Sequence, residues 1–78
     1  MKLKIQYFAL LREQRGANEE ELETAAATPT DLYEELRAKH AFTLPADRVR
    51  AAVNGEFVAS DAALKSDDTV VFIPPVAG

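Results

Sequence analysis

Residues 69–78, TVVFIPPVAG, decide the fold because a continuous apolar strand pattern stops abruptly at two prolines. Val70–Ile73 are consecutive apolar residues, a pattern typical of a strand that is covered on both faces. Pro74 and Pro75 cannot donate a hydrogen bond to a neighbouring strand, so the strand has to end there. We therefore predict a central strand over 69–73, with the rest of the sheet arranged around it.

The N-terminal segment predicts the neighbour of that strand. Leu3, Ile5 and Tyr7 alternate with polar residues, the pattern of a strand with one buried and one wet face. Residues 8–15 change to strong helix formers and predict one or two turns of helix, which Gly16 ends in a left-handed conformation. A first strand and a buried last strand are most simply placed side by side.

The segment TPTDLYEELRAKH, residues 28–40, predicts the main helix. Thr28 is a good N-cap, Pro29 suits the first helical position, and Asp31 stands where a capping box places its acid. Leu32 and Leu36 are four residues apart and form the stripe that faces the sheet.

The remaining elements are short. An acidic segment, 18–24, predicts an edge strand, and Asn-Gly at 54–55 predicts a hairpin between strands over 49–53 and 56–58. Residues 60–64 predict a short turn of helix over the core. This order of elements predicts an α+β roll with one main helix packed on one face of a mixed sheet.

Composition excludes several function classes. The 78 residues include 13 acidic and 9 basic side chains, no cysteine and one histidine. A net charge of -4 argues against a nucleic-acid partner, and the missing cysteines exclude a thiolate nucleophile or a disulfide framework. No apolar run approaches the roughly 20 residues of a membrane span. We expect a cytoplasmic protein with no membrane partner and no bound metal.

The chemistry that remains is at the C-terminus. We divide the chain into a folded domain over residues 1–73 and a flexible tail over residues 74–78. Pro74 and Pro75 stiffen the base of the tail, and five extended residues reach about 15 Å. Val76 and Ala77 are small, and Gly78 has no Cβ, so the tail suits a narrow channel in another protein. A terminal glycine is more often inert, and its carboxylate must be activated before it can undergo acyl transfer.

Four stretches carry a resemblance that covers nearly the whole chain. They are VFIPPVAG at the end, FALLRE followed by Gly16, AAVNG, and LKSDDTVVF. Together they resemble the small subunits of molybdopterin synthase, which are ubiquitin-like sulfur carriers of the β-grasp fold.

The resemblance implies a role in molybdenum cofactor biosynthesis. A ubiquitin-activating-like adenylyltransferase would use ATP to adenylate the terminal glycine, which then becomes a thiocarboxylate. The tail would enter the large subunit of the synthase, within a heterotetramer, and give its sulfur to cyclic pyranopterin monophosphate to form the molybdopterin dithiolene. The chain itself would bind no cofactor and would not be catalytic alone.

The resemblance also implies which residues matter. The reactive group would be the carboxylate of Gly78, but this family ends in Gly-Gly, whereas the sequence ends Ala77–Gly78. Gly78 is therefore either the reactive terminus or the penultimate residue of a longer chain. The residues that we expect to bind partners are Pro74, Pro75, Val76, Ala77, Phe8, Arg12 and Phe57.

Each of these residues also has a simpler interpretation. Arg12 would then be a solvated helix residue and Phe57 part of the core, while His40 would cap the main helix and Lys65 would lie on the surface. Three other functions remain open: a sulfur carrier of the thiamine pathway, a ubiquitin-like interaction module with an inert tail, and a modifier that is attached to lysines.

Overall fold

The structure is a computed structural model and describes residues 1–75. It contains five strands, two α-helices and one 3₁₀ turn. In chain order these are β1 (Lys2–Tyr7), α1 (Ala9–Arg15), β2 (Glu19–Glu23), α2 (Pro29–His40), the 3₁₀ turn (Ala46–Arg48), β3 (Arg50–Val53), β4 (Glu56–Val58) and β5 (Thr69–Ile73).

The strands form one mixed sheet in the order β2-β1-β5-β3-β4. β5 lies in the middle, parallel to β1 and antiparallel to β3, and the two outer pairings are also antiparallel. Tyr7 on β1 lies opposite Phe72 on β5. The predicted central position of the last strand, with the first strand beside it, is confirmed.

Helix α2 covers one face of this sheet. Leu32 and Leu36 are fully buried, and Tyr33 is 1% exposed. The Thr28 hydroxyl accepts a hydrogen bond from the Asp31 N–H at 3.2 Å, which confirms the predicted N-cap. The α+β β-grasp roll that the sequence predicts is the observed architecture.

The opposite face of the sheet remains open, which corrects one prediction. On β5 only Val70 and Phe72 are buried, whereas Val71 and Ile73 are partly exposed. Leu11 of α1 and the buried leucines of α2 all pack in the core cluster that contains Val70 and Phe72. Because both helices cover the same face, the prediction that both faces of β5 are buried was wrong.

Two local boundaries also differ from prediction. Residues 60–64 do not form a helix: the Ala62 N–H closes a turn on Ala59 O at 3.1 Å, and residues 62–64 have no regular structure. Leu64 is nevertheless buried, and its N–H donates to Ala27 O at 2.9 Å. β3 begins at Arg50 because the Val49 N–H closes the preceding 3₁₀ turn on Ala46 O. The Asn54–Gly55 hairpin is as predicted, with φ values of 51° and 90°.

Candidate functional site at the end of the last strand

The chain reaches the surface where β5 ends. Ile73 is partly exposed, Pro74 is buried and Pro75 is exposed. Pro74 therefore fixes the base of the tail to the domain, and Pro75 is the first residue of the C-terminal segment to face solvent. The predictions for Val76, Ala77 and Gly78 concern residues outside the described part of the chain.

An apolar hollow lies on one side of this exit. It is lined by Phe8 and Leu10 at the start of α1, Leu44 in the loop after α2, and Ile73–Pro75. Phe8 is 59% exposed and Leu10 39%, so both large side chains face solvent. Between them lies Ala9, whose backbone is in the left-handed conformation.

 Ala9 has a φ of 50°, which a residue with a side chain adopts at a cost of about 1 kcal/mol or more. Backbone strain of this kind persists only where the surrounding structure holds it, and here it presents two apolar side chains beside the tail.

A second hollow lies on the other side of the exit. It is bordered by Arg48, Arg50, Phe57 and Pro75. Phe57 is 57% exposed, and the Arg50 guanidinium carbon lies 4.2 Å from the centre of its ring. The alternative that Phe57 belongs to the core is therefore wrong.

The two hollows together form a surface that we call the tail-exit surface. Its apolar members are Phe8, Leu10, Phe57, Ile73 and Pro75. Exposed large apolar side chains gathered around one point are typical of a protein-binding surface. The charged residues that line the two hollows within residues 1–75 are Asp47, Arg48 and Arg50, and the apolar lining suits binding and positioning.

The described residues offer no metal site. No group of three or more His, Cys, Asp or Glu side chains within residues 1–75 could hold a metal ion. Among the same residues, no helix is both long and apolar enough to cross a membrane.

The other predicted site residues are separate from this surface. Arg12 is exposed on α1 and lines neither hollow. Lys65 is exposed in the turn that precedes β5, at the opposite end of the strand from the tail. His40 is partly buried at the end of α2, where its Nε2 lies 3.0 Å from a carboxylate oxygen of Glu20.

Glu20 is the centre of a polar cluster that the sequence analysis missed. It is on the edge strand β2 but points to the core face, opposite Ile5 of β1. Tyr7 donates its hydroxyl hydrogen to Glu20 Oε1 at 2.6 Å, and Arg15 Nη2 donates to Oε2 at 2.9 Å. With His40 as the third neighbour, the carboxylate connects β1, β2 and both helices.

The electrostatics of the cluster follow from these contacts. Burial opposes ionisation of Glu20, but hydrogen bonds from Tyr7, His40 and Arg15 outweigh it and lower the pKa of the carboxyl to about 2. Burial raises the pKa of the Tyr7 phenol, and the neighbouring Glu20 carboxylate raises it further. Glu20 is therefore ionised and the Tyr7 phenol protonated at neutral pH.

A signal for this cluster was present in the sequence. Glu20 lies two residues before Leu22, so the period of two places both side chains on the same face of β2. In the acidic segment that the sequence predicts as an edge strand, Glu19, Glu21 and Glu23 are exposed, whereas Glu20 is partly buried.

Comparison with known proteins identifies the family. The sequence profile of the ThiS family matches residues 5–78. The chain belongs to the ThiS family. Among solved structures, it is similar to a Pyrococcus furiosus protein provisionally assigned as molybdopterin converting factor, subunit 1, with 38% identity and a TM-score of 0.80 over 97% of this chain and 99% of that one.

Two further structures extend the comparison. SAMP1 from Haloferax volcanii is 25% identical, with a TM-score of 0.80 over 100% of this chain and 99% of that one. The complex of subunits 1 and 2 of the molybdopterin-converting factor from Helicobacter pylori contains a chain that is 19% identical, with a TM-score of 0.69 over 100% of this chain and 99% of that one. The last likeness concerns the fold alone. Family and fold place this chain among the ThiS-like β-grasp sulfur carriers.

Proposed function

We propose that this ThiS-family chain is the sulfur carrier subunit of molybdopterin synthase. An adenylyltransferase of the ubiquitin-activating kind joins the Gly78 carboxylate to AMP from ATP and releases pyrophosphate. A sulfur nucleophile then displaces AMP and leaves a thiocarboxylate. If the natural chain has a further glycine, that residue takes the place of Gly78.

The second half of the cycle takes place on the large subunit. The tail enters this partner, and the thiocarboxylate sulfur is transferred to cyclic pyranopterin monophosphate to build the dithiolene of molybdopterin. The chain contributes position rather than catalysis, because a bound and oriented thiocarboxylate reacts as if it were at high local concentration. The pterin-binding residues belong to the large subunit, and the assembly is a cytoplasmic heterotetramer.

The observation that carries this proposal is the tail-exit surface around Pro74 and Pro75, the two residues with which the PPVAG sequence begins. Apolar side chains on both sides of Pro75 would bury against a partner and hold the base of the tail while its end reaches into a cleft. Phe8 and Phe57 serve as docking residues in this account. Arg12, which lies outside both hollows, would contact the partner from the exposed side of α1.

The comparisons support the choice of pathway. The Pyrococcus furiosus protein at 38% identity is provisionally assigned as subunit 1 of the molybdopterin converting factor. In the Helicobacter pylori complex, a chain of the same fold is paired with a subunit 2. The tail-exit surface of this chain would need a partner protein similar to that subunit 2.

A reconstitution separates this function from that of a thiamine-pathway carrier. The chain is incubated with ATP, its cognate adenylyltransferase and a sulfide source, and then with the large subunit and cyclic pyranopterin monophosphate. We expect one molybdopterin to form for every two thiocarboxylates consumed, because the dithiolene contains two sulfur atoms and each chain delivers one. Sulfur transfer to a thiazole precursor instead, with no molybdopterin, would contradict the proposal. A chain without Val76–Gly78 is the control.

A second candidate function has one observation in its favour. SAMP1, to which the chain is similar at 25% identity, is a small archaeal modifier protein. The same activated carboxylate could therefore be joined to lysine amines of other proteins. Stable conjugates of this chain, detected by its antibody in cell extracts and lost on replacement of the terminal glycine, would favour that function.

A further inference from the structure

The second hollow beside the tail contains two arginines that the rest of the described chain leaves unpaired. Within residues 1–75, the ion pairs involve other cations, and neither Arg48 nor Arg50 has a carboxylate within ion-pair distance. Asp47 borders the same hollow and still forms no ion pair. Because the chain has 13 acidic side chains against 9 basic ones, a shortage of carboxylates does not explain this.

Arg50 is also held in a defined orientation. Ala52 lies directly opposite Phe57 across the β3–β4 pair, so Arg50, two residues before Ala52, reaches the ring diagonally. Its guanidinium carbon is 4.2 Å from the ring centre. A guanidinium held over the face of a ring by a cation–π contact is restricted in position, while its N–H groups stay available to a ligand.

We propose that Arg50, oriented by Phe57 and assisted by Arg48, receives a carboxylate side chain of the protein that accepts the tail. The inference rests on the proposed function, because it assigns a contact in that docking event. A planar guanidinium matches a carboxylate through two parallel hydrogen bonds. Arg50 lies opposite Ile73, the last residue of β5, so the contact would be next to the base of the tail.

The surroundings favour a protein carboxylate over a free anion. Phe57, Ile73 and Pro75 expose apolar surface around the guanidinium, and only a partner with apolar side chains of its own would cover them. Excluding water from the pair strengthens the charge-assisted hydrogen bonds. A small soluble anion would bind the charge and leave the apolar surface in water.

The layout of charge would also set the direction of docking. The exposed glutamates of β2 lie on one edge of the sheet, while Arg50 lies beside the other edge, on β3. An acidic region on the partner would be repelled by the first edge and attracted to the second, so that one orientation is favoured.

The test compares two charge-neutralising variants. Arg50→Gln removes the proposed contact, and Lys65→Gln removes an exposed cation at the opposite end of β5 with the same change in net charge. Affinity for the large subunit of molybdopterin synthase from the same cell is measured by titration calorimetry at low and high salt. We expect Arg50→Gln to weaken binding at least about tenfold and to reduce its salt dependence. Lys65→Gln should bind like the wild type.

Two further variants separate charge from geometry. Arg50→Lys keeps the charge but loses the planar fork, so binding should fall between wild type and Arg50→Gln. Phe57→Leu keeps an apolar side chain but removes the ring that orients Arg50, and should weaken binding about two- to fivefold. Thermal melting of each variant checks that the fold is intact.

A charge reversal identifies the source of the carboxylate. Arg50→Glu is tested against large-subunit variants in which single surface Asp or Glu residues are replaced by Lys, and one of these should restore binding. Equal affinities of Arg50→Gln and Lys65→Gln, or no restoring variant, would overturn the inference while leaving the proposed function in place. Failure of the wild type to bind the large subunit would overturn both.

Discussion

Glu20 is a carboxylate on the core side of a sheet, where an unpaired charge would be strongly destabilising. Three hydrogen-bonding neighbours on three different elements, Tyr7, Arg15 and His40, compensate for its burial. Removing one member of such a cluster leaves the others without partners, so the cluster should be sensitive to single substitutions.

The lowered pKa of Glu20 predicts a stability change in acid. The folded-state pKa of about 2 lies below the ordinary glutamate pKa of 4.5, so the stabilisation is fully present above pH 4.5 and is lost as the pH falls toward 2. Its size is about 3 kcal/mol at neutral pH. Denaturant melts of wild type and Glu20→Gln should therefore differ at pH 7 and converge toward pH 2. A constant difference over this range would show that Glu20 is not responsible.

Gly16 ends α1 with a φ of 80°, a conformation that residues with a Cβ adopt at a cost. No atom lies within 4 Å of an added Cβ, so the only penalty of Gly16→Ala is backbone strain. We expect a loss of about 1 kcal/mol in the free energy of unfolding, and a smaller loss for Gly16→Asn, because Asn tolerates this conformation better. A wild-type stability for Gly16→Ala would contradict the assigned helix end.

At the scale of elements, helix α2 is held by apolar burial. Leu36 is completely buried in the core cluster. Leu36→Ala should therefore lower the free energy of unfolding by about 2–5 kcal/mol, through lost burial and a residual cavity. Glu34→Ala, at an exposed position of the same helix, is the matched control and should change stability little. Equal effects of both variants in denaturant melts would show that α2 is not packed as described.

The strength of the local signals explains which elements the sequence could predict. The helix signals Thr28, Pro29 and the Leu32–Leu36 spacing all act within one helix. The hairpin signal Asn54–Gly55 acts within one turn. The structure that these signals specify therefore depends little on the rest of the chain. The open face of β5 was not predictable from Val71 and Ile73, because their apolar side chains suit a covered strand and only the position of both helices exposes them. The alternation with Leu22 indicates which face of β2 carries Glu20, but its partners come from distant segments and could not be identified from that pattern.

For the candidate site, the sequence predicted where the tail leaves the sheet, and the resemblance implied partner-binding roles for Phe8 and Phe57, but neither indicated how these residues are arranged. Phe8 and Phe57 are 49 positions apart in the sequence and meet around Pro75 only because β1 and β3 flank β5. The strained Ala9 and the stacking of Arg50 on Phe57 have no local sequence signal.

At the scale of the whole molecule, the hydrophobic core that the structure describes is formed by residues that precede the tail. The buried core residues lie between Leu3 and Phe72. We therefore expect Gly78→Val to melt at the wild-type temperature and yet to resist conversion to a thiocarboxylate, because a side chain next to the carboxylate would block a narrow channel. Deletion of Val76–Gly78 is the companion variant. A large drop in melting temperature for either variant would mean that the tail contributes to the fold.

The central claim is that the C-terminus of this protein carries sulfur. Its most direct test is mass spectrometry of the intact protein and of its C-terminal peptide, purified from its native cell. The account predicts a terminal carboxylate in which one oxygen is replaced by sulfur, and the same spectrum shows whether the residue that bears it is Gly78 or a further glycine. A plain carboxylate that stays unchanged after incubation with ATP, the adenylyltransferase and a sulfur donor would contradict the account.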